Sequence, residues 1–165
     1  MKLRIQVIAC MVSFAFLLAV PSALAQANKL IGVWKITENK LPPTGEREDT
    51  LTIAHQFPNL WMFTKKHYSH VEDPGWFGKQ RPDLPEEPTA KQMEAAYSRF
   101  IANSGTYEVK GSTIIFLPMV SKDPNLTNAP VPTSLDFKFE GDSLIIYLRQ
   151  PGISGPIERI FTRLE

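Results

Sequence analysis

Two pairs of short apolar runs, each joined by a two-residue glycine turn, constrain this chain more than any other feature. Thr106 to Val109 turns at Lys110-Gly111 into Thr113 to Val120, and Leu135 to Phe139 turns at Gly141-Asp142 into Leu144 to Arg149. Connections that short join antiparallel neighbours. Four more runs extend the pattern. Leu30 to Thr37 opens the series. Thr50 to Phe57 alternates with Leu51, Ile53, His55 and Phe57 on one face, and Leu60 to His70 is a second long run that pairs with it across Pro58-Asn59. Ile157 to Leu164 closes the chain. Eight sequential strands with short loops suit an up-and-down antiparallel barrel, with a two-sheet sandwich as the alternative. Fourteen prolines in 165 residues work against a helical bundle.

One helix interrupts the strands. Thr89 and Gln92 form a T-x-x-Q capping box, and Met93, Ala96, Tyr97, Phe100 and Ile101 fall on one helical face. The pattern predicts an amphipathic helix over about 89–102, after the third strand, stopped by Asn103-Ser104-Gly105. Before it, Glu72 to Pro88 carries four prolines and reads as a long loop. Arg81-Pro82-Asp83 within it is stiff, so Arg81 and Asp83 are candidate lid residues. The carboxylate pairs Glu72-Asp73 and Glu86-Glu87 are expected in exposed loop.

The first 25 residues read as an address. Lys2 and Arg4 precede an apolar run from Val7 to Val20, Pro21 breaks it, and Ala23-Leu24-Ala25 offers small residues to a signal peptidase. Fourteen apolar residues are too few to span a bilayer core of about 30 Å. Gln26, not cysteine, follows the cleavage position, which argues against a lipid anchor. The expected division is a signal peptide over 1–25 and one domain over 26–165, exported to a periplasmic or extracellular location with no membrane span. Cys10 lies in the leader, so the exported domain has neither thiol nor disulfide.

Charge and motif content then remove several function classes. Eighteen basic against 17 acidic residues give a net charge of +1, without the basic excess of a phosphate-driven nucleic-acid binder. There is no G-x-S-x-G elbow, no H-E-x-x-H and no glycine-rich phosphate loop. No catalytic residue, cofactor or metal is assigned. His67 and His70, three apart on one strand, point to opposite faces and do not share a metal. His55 approaches His67 across the expected hairpin.

Gly32-Val33-Trp34 at the head of the first strand resembles the G-x-W of the lipocalin superfamily. The stretches Phe63 to Ser69, Arg81 to Glu86, Ala102 to Gly111 and Thr162 to Glu165 resemble bacterial exported lipocalin-like domain proteins, a likeness that spans most of residues 30–165. It implies an eight-stranded lipocalin-like barrel. It also implies that a late arginine packs over Trp34 to close the barrel, with Arg163 in the matching position and Arg159 as a second possibility. The mid-chain helix and the missing disulfide depart from true lipocalins, and no catalytic residue transfers.

A barrel of this kind is expected to hold a small hydrophobic or amphipathic molecule. Alternation places Trp61, Phe63, Lys65 and His67 on the inner face of their strand. The lumen candidates are Trp61, Phe63, His67, Tyr107, Phe116 and Tyr147. His67 either anchors a polar head or ends its strand in water. Two alternatives stand beside binding. A 140-residue barrel with this many large side chains fills its own interior and acts structurally or through a partner, or it runs cofactor-free isomerase or cyclase chemistry with His67, Tyr68 or Arg149.

Overall fold

The computed structural model describes residues 25–165 except 47, 74–81, 99 and 129–131. The expected leader therefore lies almost wholly outside the described residues, as does Arg81. After a short helix over residues 25–30 (α1) come β1 (Gly32–Leu41), β2 (Leu51–Ala54), β3 (Asn59–Phe63) and β4 (His67–Glu72). Helix α2 (Ala90–Tyr97), β5 (Ile101–Lys110) and β6 (Thr113–Ser121) follow. A single helical turn, α3 (Pro124–Thr127), leads to β7 (Thr133–Glu140), β8 (Ser143–Leu148) and β9 (Ile157–Arg163).

Every pairing is antiparallel. Strands β1 and β3 to β9 pair in order, and β9 returns to β1, so eight strands close into a barrel with β2 as an extra strand. This is consistent with the lipocalin-like fold expected from the sequence.

The first half corrects the expected strand plan. Runs 50–57 and 60–70 do not pair as a hairpin. Both β2 and β3 pair with β1, β2 along its C-terminal half and β3 along Gly32 to Trp34, so the two lie end to end on one edge. Pro58 interrupts that edge, and the Asn59 side chain fills the gap. Its Oδ1 accepts from Ile36 N at 2.6 Å, and its Nδ2 donates to Ile36 O at 3.2 Å and Phe57 O at 3.0 Å. Backbone groups that would lose their partners at the break stay satisfied. The alternating face expected for Leu51 and Ile53 is absent too: all of β2 is exposed.

The real hairpin lies inside the run Leu60 to His70. Strands β3 and β4 pair around residues 64–66, where Thr64 N donates to His67 O and Thr64 Oγ1 accepts from His67 N at 3.0 Å. Lys65 and Lys66 sit in the exposed turn. The turn shifts the inward phase, so β4 buries Tyr68, His70 and Glu72 while His67 is exposed.

Helix α2 begins at the expected capping box: Thr89 accepts from Gln92 N, and the Gln92 side chain accepts from Thr89 N at 2.9 Å. It ends at Tyr97 and follows β4. Residues 101–105, expected as helix end and stop, instead form β5, because β4 needs a partner from Glu72↔Ile101 to His67↔Thr106. Lys122 Nζ donates to Tyr97 O and Phe100 O, tying the end of the helix to the end of β6. The glycine turns behave as read: Gly111 and Gly141 adopt φ of 61° and 58°, which disfavour other residues.

The core is the barrel interior. Leu30, Trp34, Ile36, Trp61, Phe63, Tyr68, Ile114, Phe116, Phe137, Leu144, Ile146 and Phe161 form one buried cluster.

Candidate functional site

One end of the barrel, its base, carries Trp34 and Arg163, the other end carries a polar rim, and the wall strands dictate both. At the base, Trp34 Nε1 donates to Leu30 O at 2.8 Å, and the Arg163 guanidinium lies 4.2 Å from the Trp34 ring centroid. Arg163 also donates to Ile31 O at 2.6 Å and to Lys29 O. Tryptophan and arginine thus gather the free carbonyls at the end of α1 and hold the fully buried Leu30 in the barrel. Gly32 is required there. Its φ is 142°, and a Cβ would come within 2.3 Å of Arg163 NH1 and 2.4 Å of Glu165 O.

The middle is filled by rings. Trp61 lies 5.3 Å from Phe161 and 6.1 Å from Phe116, Tyr68 lies 4.7 Å from Phe116, and Phe63 lies 5.3 Å from Tyr107. The expected lumen residues Trp61, Phe63 and Phe116 are inside and pack on one another. Tyr107 is half-buried, and its hydroxyl donates to Thr64 O at 2.7 Å. Burial pushes its phenol up, and pushes that of Tyr68 up to about 12.

Two lumen candidates are not in the lumen. His67 is exposed beside the β3–β4 turn. Tyr147 faces outward: it stands opposite Asp136 and Glu158 between inward Ile146 and Leu148, and Lys138 Nζ lies 5.6 Å from its ring. Asp83 lines an outer groove of about 400 Å³ with Pro58, Leu60, Val71 and Pro82. Arg149 lines another outer groove, beside Tyr147.

At the rim the inner wall turns polar. Strand β4 contributes His70 and Glu72, β5 contributes Asn103, β1 Asn39, β9 Arg159, and the kink after β2 His55. Glu72 is fully buried, which corrects its expected place in exposed loop; Asp73 is buried as well. Glu72 Oε2 accepts from His70 Nε2 at 2.8 Å and from Arg159 NH1 at 2.7 Å. The His70 ring stacks on Trp61 at 3.8 Å, and its Nδ1 faces Asn103 Nδ2 at 3.5 Å. His55 Nδ1 faces Asn39 Nδ2 at 3.3 Å.

The charge states follow. Burial alone would raise the Glu72 carboxyl, but the His70 hydrogen bond and the Arg159 charge outweigh it and hold it at about 2. Burial lowers both His55 and His70, against the pull of Glu72. At neutral pH Glu72 is therefore a carboxylate paired with the Arg159 guanidinium, and His55 and His70 are neutral, with Asp73 and Lys35 also acting on the His55 ring. His70 has both ring nitrogens engaged and is ill placed to act as a base. Glu72 Oε1, Arg159 Nε and His55 Nε2 are buried with no protein partner, as is Trp61 Nε1. Sequence reasoning missed this cluster: it named His55, His70, Glu72 and Arg159 only separately and in other roles. The available signal was the parity of inward residues on β4 and β9, where Tyr68, His70 and Glu72 alternate, as do Ile157, Arg159 and Phe161.

Among the described residues no group of three His, Cys, Asp or Glu is arranged to hold a metal, and no helix is long and apolar enough to cross a membrane. No family model and no curated protein matches the chain. Among solved structures it is similar to an uncharacterized protein from Bacteroides eggerthii DSM 20697, with a TM-score of 0.37 and 11% identity over 79% of this chain and 98% of that one.

Proposed function

We propose that this is an exported lipocalin-like barrel that binds a small amphipathic molecule by its polar head at the rim. The observation that carries this reading is the rim cluster. Buried donors and acceptors without partners are costly, and a binding site concentrates them where a ligand meets them. Of the six such atoms among the described residues, those of Glu72, Arg159 and His55 gather at one end of the barrel, beside an aromatic floor that includes Trp61 and its Nε1, while Gln26 Oε1 and the Tyr68 hydroxyl lie elsewhere. In this reading Trp34 and Arg163 close the opposite end, and residues 1–25 direct export and are removed. The reading moves the ligand from the middle of the barrel, where rings pack on rings, to its polar end.

Native mass spectrometry of the protein recovered from its exporting host tests both parts. The expected result is a chain that begins at Gln26 and carries an adduct that can be extracted and rebound. A clean unliganded mass, with no rise in melting temperature across a panel of lipids and metabolites, would sink the binding reading. It would favour the filled, partner-binding barrel, for which the packed interior and the exposed Met119 and Val120 on β6 speak.

A further inference from the structure

The atoms left without a protein partner at the rim specify more than polarity. Glu72 spends Oε2 on two donors and keeps Oε1, which accepts only. Arg159 spends NH1 on the same oxygen and keeps Nε–H, which donates only. With Asn39 Nδ2 donating to His55 Nδ1, the His55 proton sits on Nε2, a second donor without a partner. Glu72, Arg159 and His55 thus offer one acceptor and two donors, with Trp61 Nε1 in the floor as a further donor. The acceptor and one donor belong to the two residues of one ion pair.

A hydroxyl is the complement of that set, with one proton to give and two lone pairs to fill. We propose, on the reading that the rim binds a ligand head, that it recognises a neutral alcohol. The ligand O–H donates to Glu72 Oε1, and its oxygen accepts from Arg159 Nε and His55 Nε2.

Charge excludes the commoner heads. Glu72 and Arg159 already neutralise each other, Asp73 and Lys35 pull the His55 ring in opposite directions, and burial keeps both imidazoles neutral. A ligand carboxylate would have to share Arg159 with Glu72 and would set two buried anions side by side. A ligand ammonium would stand against Arg159. Either brings an uncompensated charge into a buried site. A neutral head adds none, and a site built to hydrogen-bond a hydroxyl discriminates strongly against analogues that leave its polar atoms unpaired.

The test uses matched probes on the purified protein at pH 7: 1-octanol, octanoate and octylamine, with benzyl alcohol, benzoate and benzylamine as a second tail. Calorimetry measures affinity, and tryptophan fluorescence reports on Trp61 beside the cluster. In at least one tail series the alcohol should bind at least tenfold more tightly than its acid and its amine. That margin should fall at least tenfold in His55→Phe, which keeps an aromatic ring beside Phe57, and in Glu72→Gln. If Glu72→Gln does not fold, His55→Phe carries the test alone.

If in neither tail series the alcohol exceeds its acid and its amine tenfold while some probe binds, the head assignment is overturned and the binding reading stands. The same follows from a tight alcohol whose affinity is unchanged in folded His55→Phe. If no probe binds and each tail leaves the fluorescence untouched, the head assignment fails and the binding reading loses its support at the rim.

Discussion

Replacing Glu72 with glutamine isolates the charge at the centre of the rim. The carboxyl is held at about 2 in the folded chain against an ordinary value of 4.5. Because the folded value is the lower one, the stabilisation is fully present above 4.5 and is lost as pH falls through about 2. Integrating that difference gives about 3 kcal/mol at pH 5 and above, about 1.4 at pH 3 and about 0.4 at pH 2. Glu72 has no exposed surface, so little of this is screened. The assay is urea unfolding of wild type and Glu72→Gln across pH 2–7, with the two stabilities subtracted so that the other carboxylates cancel. At pH 7 the variant should be less stable by about 3 kcal/mol, since Arg159 keeps its buried charge without a counter-ion. The gap should close between pH 5 and pH 2. Parallel curves would refute the reasoning, because they would mean that the carboxyl titrates alike in the folded and unfolded chains.

His70→Gln probes the upper part of the same profile. The folded His70 value lies below 6.5, so the stability gained by keeping it neutral is complete above 6.5 and declines as pH falls from there through the folded value. Wild type should lose stability between pH 7 and pH 5 that His70→Gln retains, as read by melting temperature. At the base, Arg163→Ala should cost about 2–4 kcal/mol by urea unfolding, from the Trp34 stack and the charged hydrogen bonds to Ile31 and Lys29. Gly105→Ala would drive a Cβ to 2.1 Å from Leu117 O and 2.8 Å from Met119 N, inside the irregular pairing of β5 with β6. It should cost about 2 kcal/mol or more, against less than about 0.5 for Ala at the exposed His67, which denaturation of the two variants side by side would check.

What the sequence made legible was local. Gly111 and Gly141 announce their turns because those turns need a positive φ, and Thr89 with Gln92 announces a helix start because both partners lie within one turn. The β3–β4 turn carries no glycine or proline. The Thr64 hydroxyl builds it, and a hydroxyl in a strand-like run gives no alarm. Phase held the missing information. Phe63 and Tyr68 both point inward although five positions separate them, an odd interval that no unbroken strand allows. Reading Leu60 to His70 as continuous turned Tyr68 and His70 outward and put His67 in their place. The rim cluster lay further out of reach. Glu72 and Arg159 are 87 positions apart and meet only because β9 closes on β1, which brings Arg159 opposite Asn39. Once that closure fixes the register, charge on the inward positions becomes informative, because an unpaired buried charge is too costly to keep. Inward Glu72 on β4 then demands a cation on another inner wall, and Arg159, between Ile157 and Phe161 on β9, meets that demand.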